Sequence, residues 1–223
     1  MTNVLYQHGT LGTLMAGLLE GTATINELLE HGNLGIATLT GSDGEVIFLD
    51  GKAYHANEHK QFIELKGDEK VPYASITNFK ASKTFSLQQL SQDDVFAQIK
   101  NEMLSENLFS AVKIYGTFKY MHVRMIDSAR RQPEEKRQDI RGAIVGFFTP
   151  ELFHGVGSAG FHIHFADDER AYGGHVLDFE VDDVVVEIQN FETFQQHFPV
   201  NNETFVKAKI DYKDVAEEIR EAE

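Results

Sequence analysis

The spacing of hydrophobic residues predicts two helices near the start of the chain. Apolar side chains recur at helical spacing over residues 11–19, which predicts a helix that is stopped by Gly21. Thr24 and Glu27 have the spacing of a capping box, in which each side chain binds a backbone N–H of the other residue. A second helix is therefore expected to begin at Thr24 and to end near Gly32, because glycine is favoured just after a helix.

After Gly32 the period of the hydrophobic pattern falls to two, which is typical of strands. Residues 34–38 and 45–49 predict two strands joined by a turn at 41–44, the start of a β-meander. The same reasoning predicts the later elements. They are a helix over 91–106, a strand pair over 112–125 broken near Gly116, strands at 142–149, 160–166, 175–181 and 184–189, and a terminal helix over 211–223.

Residues 127–139 interrupt this pattern, since they are rich in charged side chains and almost free of apolar ones. We interpret them as a solvated connector. The predicted parts are an N-terminal α/β sub-domain (1–126), a charged connector (127–140) and a C-terminal β sub-domain with a terminal helix (141–223). The fold class is α+β, with helices packed on a mixed N-terminal sheet and a mainly antiparallel C-terminal sheet.

Composition narrows the possible partners. Hydrophobic residues make up 42% and charged residues 25% of the 223, as in ordinary globular proteins. The net charge of −15 disfavours nucleic acid, because a protein that binds phosphates needs a basic surface. No apolar run reaches the ~18 residues of a membrane span, and the first 20 residues lack the basic region of a signal peptide. A cytoplasmic protein that acts on a small molecule is the expectation.

The chain has ten histidines and no cysteine, so a metal site would have to use imidazole and carboxylate ligands. His162 and His164 alternate with three apolar residues, which places both imidazoles on one face of a strand. Their Cα atoms would be about 6–7 Å apart, close enough for both side chains to reach one ion. The sequence therefore predicts a metal site on this strand of the C-terminal sheet.

His175 follows after a segment that contains Gly173 and Gly174, and we expect an antiparallel hairpin to return it beside the first two histidines. Three imidazoles with an open coordination position are typical of catalytic zinc. Two alternatives stay open, a structural metal site and a cupin-like metal enzyme or sugar-binding module. In the cupin pattern, Glu169 would join His162 and His164, although Val176 stands where that pattern has glycine.

The other histidines are isolated at predicted turns or strand ends, and we interpret them as ordinary surface residues. They are His8, His31, His55, His59, His122, His154 and His197.

Over nearly its whole length the sequence resembles the acetolactate decarboxylase family. The segments that carry the resemblance are 32–36, 43–45, 141–147, 161–165 and 173–179. The resemblance implies a Zn²⁺ enzyme that converts 2-acetolactate to (R)-acetoin and CO₂, with His162, His164 and His175 as metal ligands. It also implies a homodimer joined through the N-terminal sheet.

The resemblance assigns further site residues. Glu45 and Glu223 match the two active-site glutamates, Arg124 matches the arginine that orients the substrate carboxylate, and Thr38 matches a hydroxyl-bearing pocket residue. Glu221 is the alternative to Glu223. The resemblance does not decide which glutamate delivers the proton to carbon.

One departure from the family bears on Arg124. The family usually has a proline-rich loop after this arginine, whereas here Met125 runs directly into residues 126–128. Either the chain lacks a lid over its site, or the loop is missing from the sequence; we favour the second interpretation.

Overall fold

The computed structural model describes residues 3–57, 59, 61–125, 132–211 and 215–222. Most of them lie in strands, numbered here along the chain. The strands are β1 (Val4–His8), β2 (Ala23–Thr24), β3 (Leu34–Leu39), β4 (Asp43–Leu49), β5 (Lys52–Ala56), β6 (Phe62–Glu64), β7 (Lys70–Val71), β8 (Tyr73–Thr77), β9 (Lys83–Ser91), β10 (Ser110–Arg124), β11 (Glu134–Thr149), β12 (Gly160–Asp167), β13 (Gly173–Asn190) and β14 (Thr193–His197).

In the part of the chain that the structure describes, five α-helices connect or flank these strands. They are α1 (Leu11–Met15), α2 (Ile25–Leu29), α3 (Gln92–Glu102), α4 (Glu203–Lys207) and α5 (Val215–Ala222), with one 3₁₀ turn at Glu151–Phe153. Among the described residues the longest helix has 11 residues, and none has the length and apolar character to cross a membrane.

Two large sheets organise the molecule. The first has the order β14-β1-β8-β3-β4-β5-β6 and is mixed, because β1 and β14 are parallel while the other pairs are antiparallel. The second is antiparallel and joins β10, β11, β12, β13 and β9. Strand β10 pairs with both β11 and β13, and β12 pairs with the same two strands, so these four strands close on themselves.

The two sheets face each other across a shared core. Leu34, Ile36 and Ile47 of the first sheet cluster with Val145 and Phe147 of the second. Ile47 is fully buried, and burial of a side chain of this size contributes about 1.5–3 kcal/mol to stability. This packing fixes the distance between residues that project from β4 and β12.

The α+β fold class is confirmed. The predicted capping box is also confirmed, since the Thr24 hydroxyl accepts a hydrogen bond from the Glu27 N–H and the Glu27 carboxylate accepts one from the Thr24 N–H. The predicted helix over 11–19 is shorter and ends at Met15, because Gly17, rather than Gly21, adopts a left-handed conformation with φ 89°.

Three predicted breaks in the strands are wrong. Strand β10 continues through Gly116, where the absent side chain allows close approach to the backbone of Asp183 instead of ending the strand. Strand β13 is continuous from 173 to 190, and its register with β10 shifts at several points along the pairing. Residues 134–140 of the predicted connector form the first half of β11, where backbone pairing with β10 replaces apolar burial.

The strand pairings cross the predicted sub-domain boundary. Strand β10 precedes the connector and pairs with β11 and β13 after it, and β14 pairs with β1 near the start of the chain. Both sheets therefore combine residues from 1–126 and 141–223. The division of the chain into these sub-domains stays a prediction.

Two histidines predicted to lie at the surface are buried. His8 is fully buried and His55 is 7% exposed. The Nδ1 atoms of His8 and His197 are 2.8 Å apart, and His55 Nε2 donates a hydrogen bond to the Asp43 carbonyl. For His8 the prediction was wrong because β1 and β14, from opposite ends of the chain, pair in parallel and bring His8 beside His197; His55 lies on β5, between β4 and β6.

The burial of His8 predicts that the stability of the protein depends on pH. Burial, together with nearby His197, lowers the pKa of His8 from 6.5 to about 4. The unfolded chain therefore binds a proton first as the pH falls, and the free energy of unfolding is expected to drop by up to about 3 kcal/mol between pH 6.5 and 4. Urea unfolding at several pH values checks this, and H8N should show a shallower decline. An equal pH dependence in H8N would assign the loss to other groups.

Candidate metal centre and active site

A cross-strand row on the second sheet brings three of the predicted site residues together. Arg124 of β10 lies directly opposite His175 of β13, and His175 lies directly opposite His164 of β12. Residues at directly opposite positions project from the same face of a sheet. His162 precedes His164 by two residues on β12 and therefore shares that face. The predicted hairpin between the histidines is confirmed.

The three histidines form a compact group. One ring nitrogen of each lies within 4.8 Å of the others, and all three residues are buried. Their ring centroids are separated by 5.2 Å (His162 to His164), 5.1 Å (His162 to His175) and 5.5 Å (His164 to His175). Three imidazoles at this spacing can hold one metal ion and leave a coordination position open.

A hydrogen bond fixes the orientation of His164. Its Nδ1 lies 3.2 Å from the carbonyl oxygen of Val46 on β4. Because a carbonyl only accepts, Nδ1 carries the proton and Nε2 presents its lone pair. Nε2 is buried and has no hydrogen-bond partner among the described residues. A metal-binding histidine commonly has this arrangement, with one nitrogen donating to a carbonyl and the other free to bind the ion.

The charge state of the histidines also suits a metal. Burial, with a smaller effect from Arg124, lowers the pKa of His164 to about 3 despite the bond to Val46. Burial, His164 and Arg124 lower the pKa of His162 well below its usual value. Both imidazoles are therefore neutral near pH 7, which is the form that coordinates a metal.

A second cross-strand row faces the triad from the first sheet. Tyr73 of β8 lies opposite Thr38 of β3, and Thr38 lies opposite Glu45 of β4. The Tyr73 ring is nearly parallel to that of His162, at an interplanar angle of 6° and a centroid distance of 6.4 Å. The Thr38 hydroxyl donates a hydrogen bond of 2.8 Å to the Gly44 carbonyl, so its oxygen can still accept a bond from the cavity.

Glu45 approaches the triad directly. Its Oε2 lies 3.4 Å from Nε2 of His164, and the residue is 7% exposed. Since Nδ1 of His164 already carries the proton, two electron-rich atoms face each other in a buried space. A proton on one of them or a cation shared between them makes this contact favourable. The donor set therefore fits a metal ion.

The cavity between the two rows has an apolar wall. Leu11, Leu14 and Met15 of α1 contribute to it, and α1 packs against Val215 and Ile219 of the terminal helix α5. Val215 and Ile219 are both buried in this packing.

Six of the seven predicted site residues line this one cavity. They are Thr38, Glu45, Arg124, His162, His164 and His175. Glu223 lies outside the described residues, and so does the segment after Met125 at which the family's proline-rich loop was expected. Glu169 is exposed in the turn between β12 and β13 and is no part of the histidine group, which removes the support for a cupin.

Sequence reasoning missed Tyr73 and Ser42, which also line the cavity. Tyr73 has no local motif that marks it, because only the pairing of β8 with β3 brings it opposite Thr38. The apolar residues of α1 were recognised as a helix face, but the pattern did not indicate that this face borders a cavity.

Comparisons with known proteins agree on one family. The family model for alpha-acetolactate decarboxylase matches residues 5–212. The alpha-acetolactate decarboxylase of Lactococcus lactis subsp. cremoris (strain MG1363) is 45% identical over 230 residues, which cover 98% of this chain and 98% of that protein.

Solved structures agree at the level of the fold. A Staphylococcus aureus protein described as of unknown function and similar to alpha-acetolactate decarboxylase is 93% identical, with a TM-score of 0.98 over 99% of this chain and 100% of that one. The alpha-acetolactate decarboxylase of Bacillus subtilis strain 168 is 30% identical, with a TM-score of 0.93 over 97% of each chain.

Proposed function

The chain belongs to the alpha-acetolactate decarboxylase family of carboxy-lyases, and we propose that it is a zinc enzyme that converts 2-acetolactate to (R)-acetoin and CO₂. The substrate class follows from the family, whereas the metal, the product's handedness and the residue roles are proposals. The observation that carries them is the buried group of His162, His164 and His175 with Glu45 against it.

The substrate chemistry explains why such a site is useful. Acetolactate is a β-keto acid, so loss of CO₂ leaves the bonding electrons as an enediolate with negative charge on the former carbonyl oxygen. A zinc ion held by the three imidazoles would supply Lewis-acid stabilisation of this charge. Neutral ligands suit that role, because they leave the full positive charge of the ion available.

Arg124 is proposed to bind and orient the substrate carboxylate. Its guanidinium offers a planar pair of donors that matches a carboxylate. Arg124 is 6% exposed and its Nε has no hydrogen-bond partner among the described residues, while Nη1 bonds Gln132 Oε1 at 3.3 Å. A buried donor without a partner is costly, and an anionic substrate would satisfy it.

Thr38 and the glutamates have the remaining proposed roles, which are binding of the substrate hydroxyl and delivery of the proton. The Thr38 oxygen can accept a hydrogen bond from the substrate hydroxyl, since its own proton is engaged with Gly44. Glu45 or Glu223 would deliver a proton to the carbon that lost CO₂, from one face, which yields one enantiomer. The packing of α5 on the wall of the cavity supports a site role for the end of the chain.

The decisive experiment measures metal content and product together. Purified protein is analysed for zinc and then given racemic acetolactate, and acetoin is resolved by chiral chromatography. We expect about one zinc per chain and (R)-acetoin. Zinc at that level without acetoin would contradict the proposal.

Removal of the metal gives a further prediction. A chelator should abolish acetoin formation while far-UV circular dichroism is retained, because backbone pairing of β10, β11, β12 and β13 holds the histidines without the ion. Added Zn²⁺ should restore activity. Unfolding on chelation would instead indicate a structural metal site.

The homodimer and the cytoplasmic location stay predictions. Sedimentation equilibrium of the purified protein would test the first, and fractionation of cells would test the second.

A further inference from the structure

The turn between the two histidine strands is tied to a single carboxylate. Asp167 Oδ1 accepts hydrogen bonds from the N–H groups of Ala171 and Tyr172, at 2.7 and 2.9 Å. The Asp167 N–H donates in return to the Tyr172 carbonyl at 2.9 Å. These contacts define where β13 begins and therefore where His175, three residues after Tyr172, lies relative to β12.

The Tyr172 side chain leaves this turn and reaches the neighbouring hairpin. Its hydroxyl donates to the Glu135 carbonyl at 2.9 Å and lies 3.3 Å from the Met121 carbonyl. The residue is 3% exposed, and Arg137 covers its ring with the guanidinium carbon 4.1 Å from the ring centre. Burial raises the pKa of Tyr172 well above its usual value, so the hydroxyl keeps its proton.

The two carbonyls belong to the end of the β10–β11 hairpin that carries Arg124. Met121 precedes Arg124 by three residues on β10, and Glu135 is adjacent to Glu134, the residue paired with Arg124 on β11. One hydroxyl thus joins the turn that precedes His175 to both strands of the hairpin that carries Arg124.

This part of β10 pairs without a register shift with β11, but its pairing with β13 is irregular. The pairing of β10 with β13 shifts register between His122 and Val123, immediately before Arg124. A bulge of this kind interrupts the regular hydrogen bonds that would otherwise fix the strand. A buried hydroxyl that bonds both strands compensates for the interruption.

We propose that Tyr172 is a positioning residue that holds Arg124 at its working distance from the histidine triad, through its bonds to Met121 and Glu135. The proposal rests on the role of Arg124 in binding the substrate carboxylate. It predicts that loss of the hydroxyl affects carboxylate binding more than metal binding, because the Asp167 contacts that set the histidine turn use only the backbone of residues 171 and 172.

The test compares Y172F with the control Y120F. Tyr120 is half-buried and lies on β10, the strand that carries Arg124. For zinc-loaded Y172F we expect KM for acetolactate to rise about fivefold to tenfold, with kcat within about twofold of the wild type. Zinc affinity and the visible spectrum of the cobalt-substituted protein should stay unchanged. Amide hydrogen exchange near residues 121–124 should become faster in Y172F and stay unchanged in Y120F.

Three results would overturn the proposal. One is a lower unfolding midpoint of Y172F with an unchanged KM, which would indicate a purely structural tyrosine. Another is a loss of zinc affinity equal to the change in KM, which would mean that the hydroxyl supports the whole site. The third is an equal change in KM for Y120F.

A second measurement separates this proposal from the proposed function. Calorimetry with 2-hydroxy-2-methylpropanoate, a carboxylate that cannot lose CO₂ by the same route, reports binding without turnover. Y172F should bind it about fivefold more weakly than the wild type and Y120F. If wild-type protein makes no acetoin, the proposed function fails while this binding comparison still decides the role of Tyr172.

Discussion

Replacing His164 by asparagine is expected to weaken zinc binding by more than about 100-fold and to lower the rate of acetoin formation by about 10³-fold or more. Changes to groups that only orient a metal ligand already cost 10–100-fold in affinity, and loss of the ligand itself should cost more. Loss of several kcal/mol of charge stabilisation corresponds to the expected fall in rate.

Asparagine is chosen because its amide nitrogen can keep the hydrogen bond that His164 Nδ1 donates to Val46. The variant then removes the Nε2 lone pair with little change in the packing between β12 and β4. Isothermal titration with Zn²⁺ and an acetoin assay at saturating zinc measure the two effects.

The control is H31N. His31 stacks on Tyr6 at a centroid distance of 3.6 Å and does not line the cavity. It should keep wild-type zinc affinity and activity. If H164N binds zinc as tightly as H31N does, His164 is not a ligand, and the proposed site would need another donor.

The histidine site could be predicted from sequence because its signals are local. Alternation placed His162 and His164 on one face, and the two glycines before His175 indicated the turn that returns it. Nothing distant in the chain was needed for that step. The resemblance to the family then supplied Arg124, Thr38 and Glu45, which the residue pattern alone would have left among ordinary strand residues.

The rest of the site depends on pairings between distant strands. Tyr73 reaches the cavity only because β8 pairs with β3, and His8 is buried only because β1 pairs with β14. Such pairings are set by the packing of the whole sheet, so a short sequence window does not indicate them.

The charged half of β11 shows a different limit. Residues 134–140 lack the apolar alternation of a strand, yet the Lys136 ammonium lies over the Tyr120 ring and the Arg137 guanidinium over the Tyr172 ring. Long basic side chains can cover aromatic surface while their charge stays in water, so a strand forms in a sequence that indicates a solvated loop.

Replacing Glu45 by glutamine is expected to lower kcat by about 10²–10⁴-fold while zinc stays bound, which is the range that general acid–base groups contribute. Glutamine keeps the size and hydrogen-bonding capacity of the side chain but has no carboxyl proton to give. Steady-state rates and the enantiomer ratio of acetoin check the prediction. Because one proton is delivered from one face, a racemic product would indicate that solvent now supplies it.

Two further variants are needed to interpret the result for E45Q. E64Q changes an exposed glutamate that pairs with Lys52 on the same sheet, and it should leave rate and product unchanged. E223Q tests the second proposed carboxyl: a slow variant that still yields only (R)-acetoin would indicate that this residue orients the substrate, whereas loss of handedness would make it the donor in place of Glu45. Full activity in both E45Q and E223Q would contradict proton delivery by either glutamate.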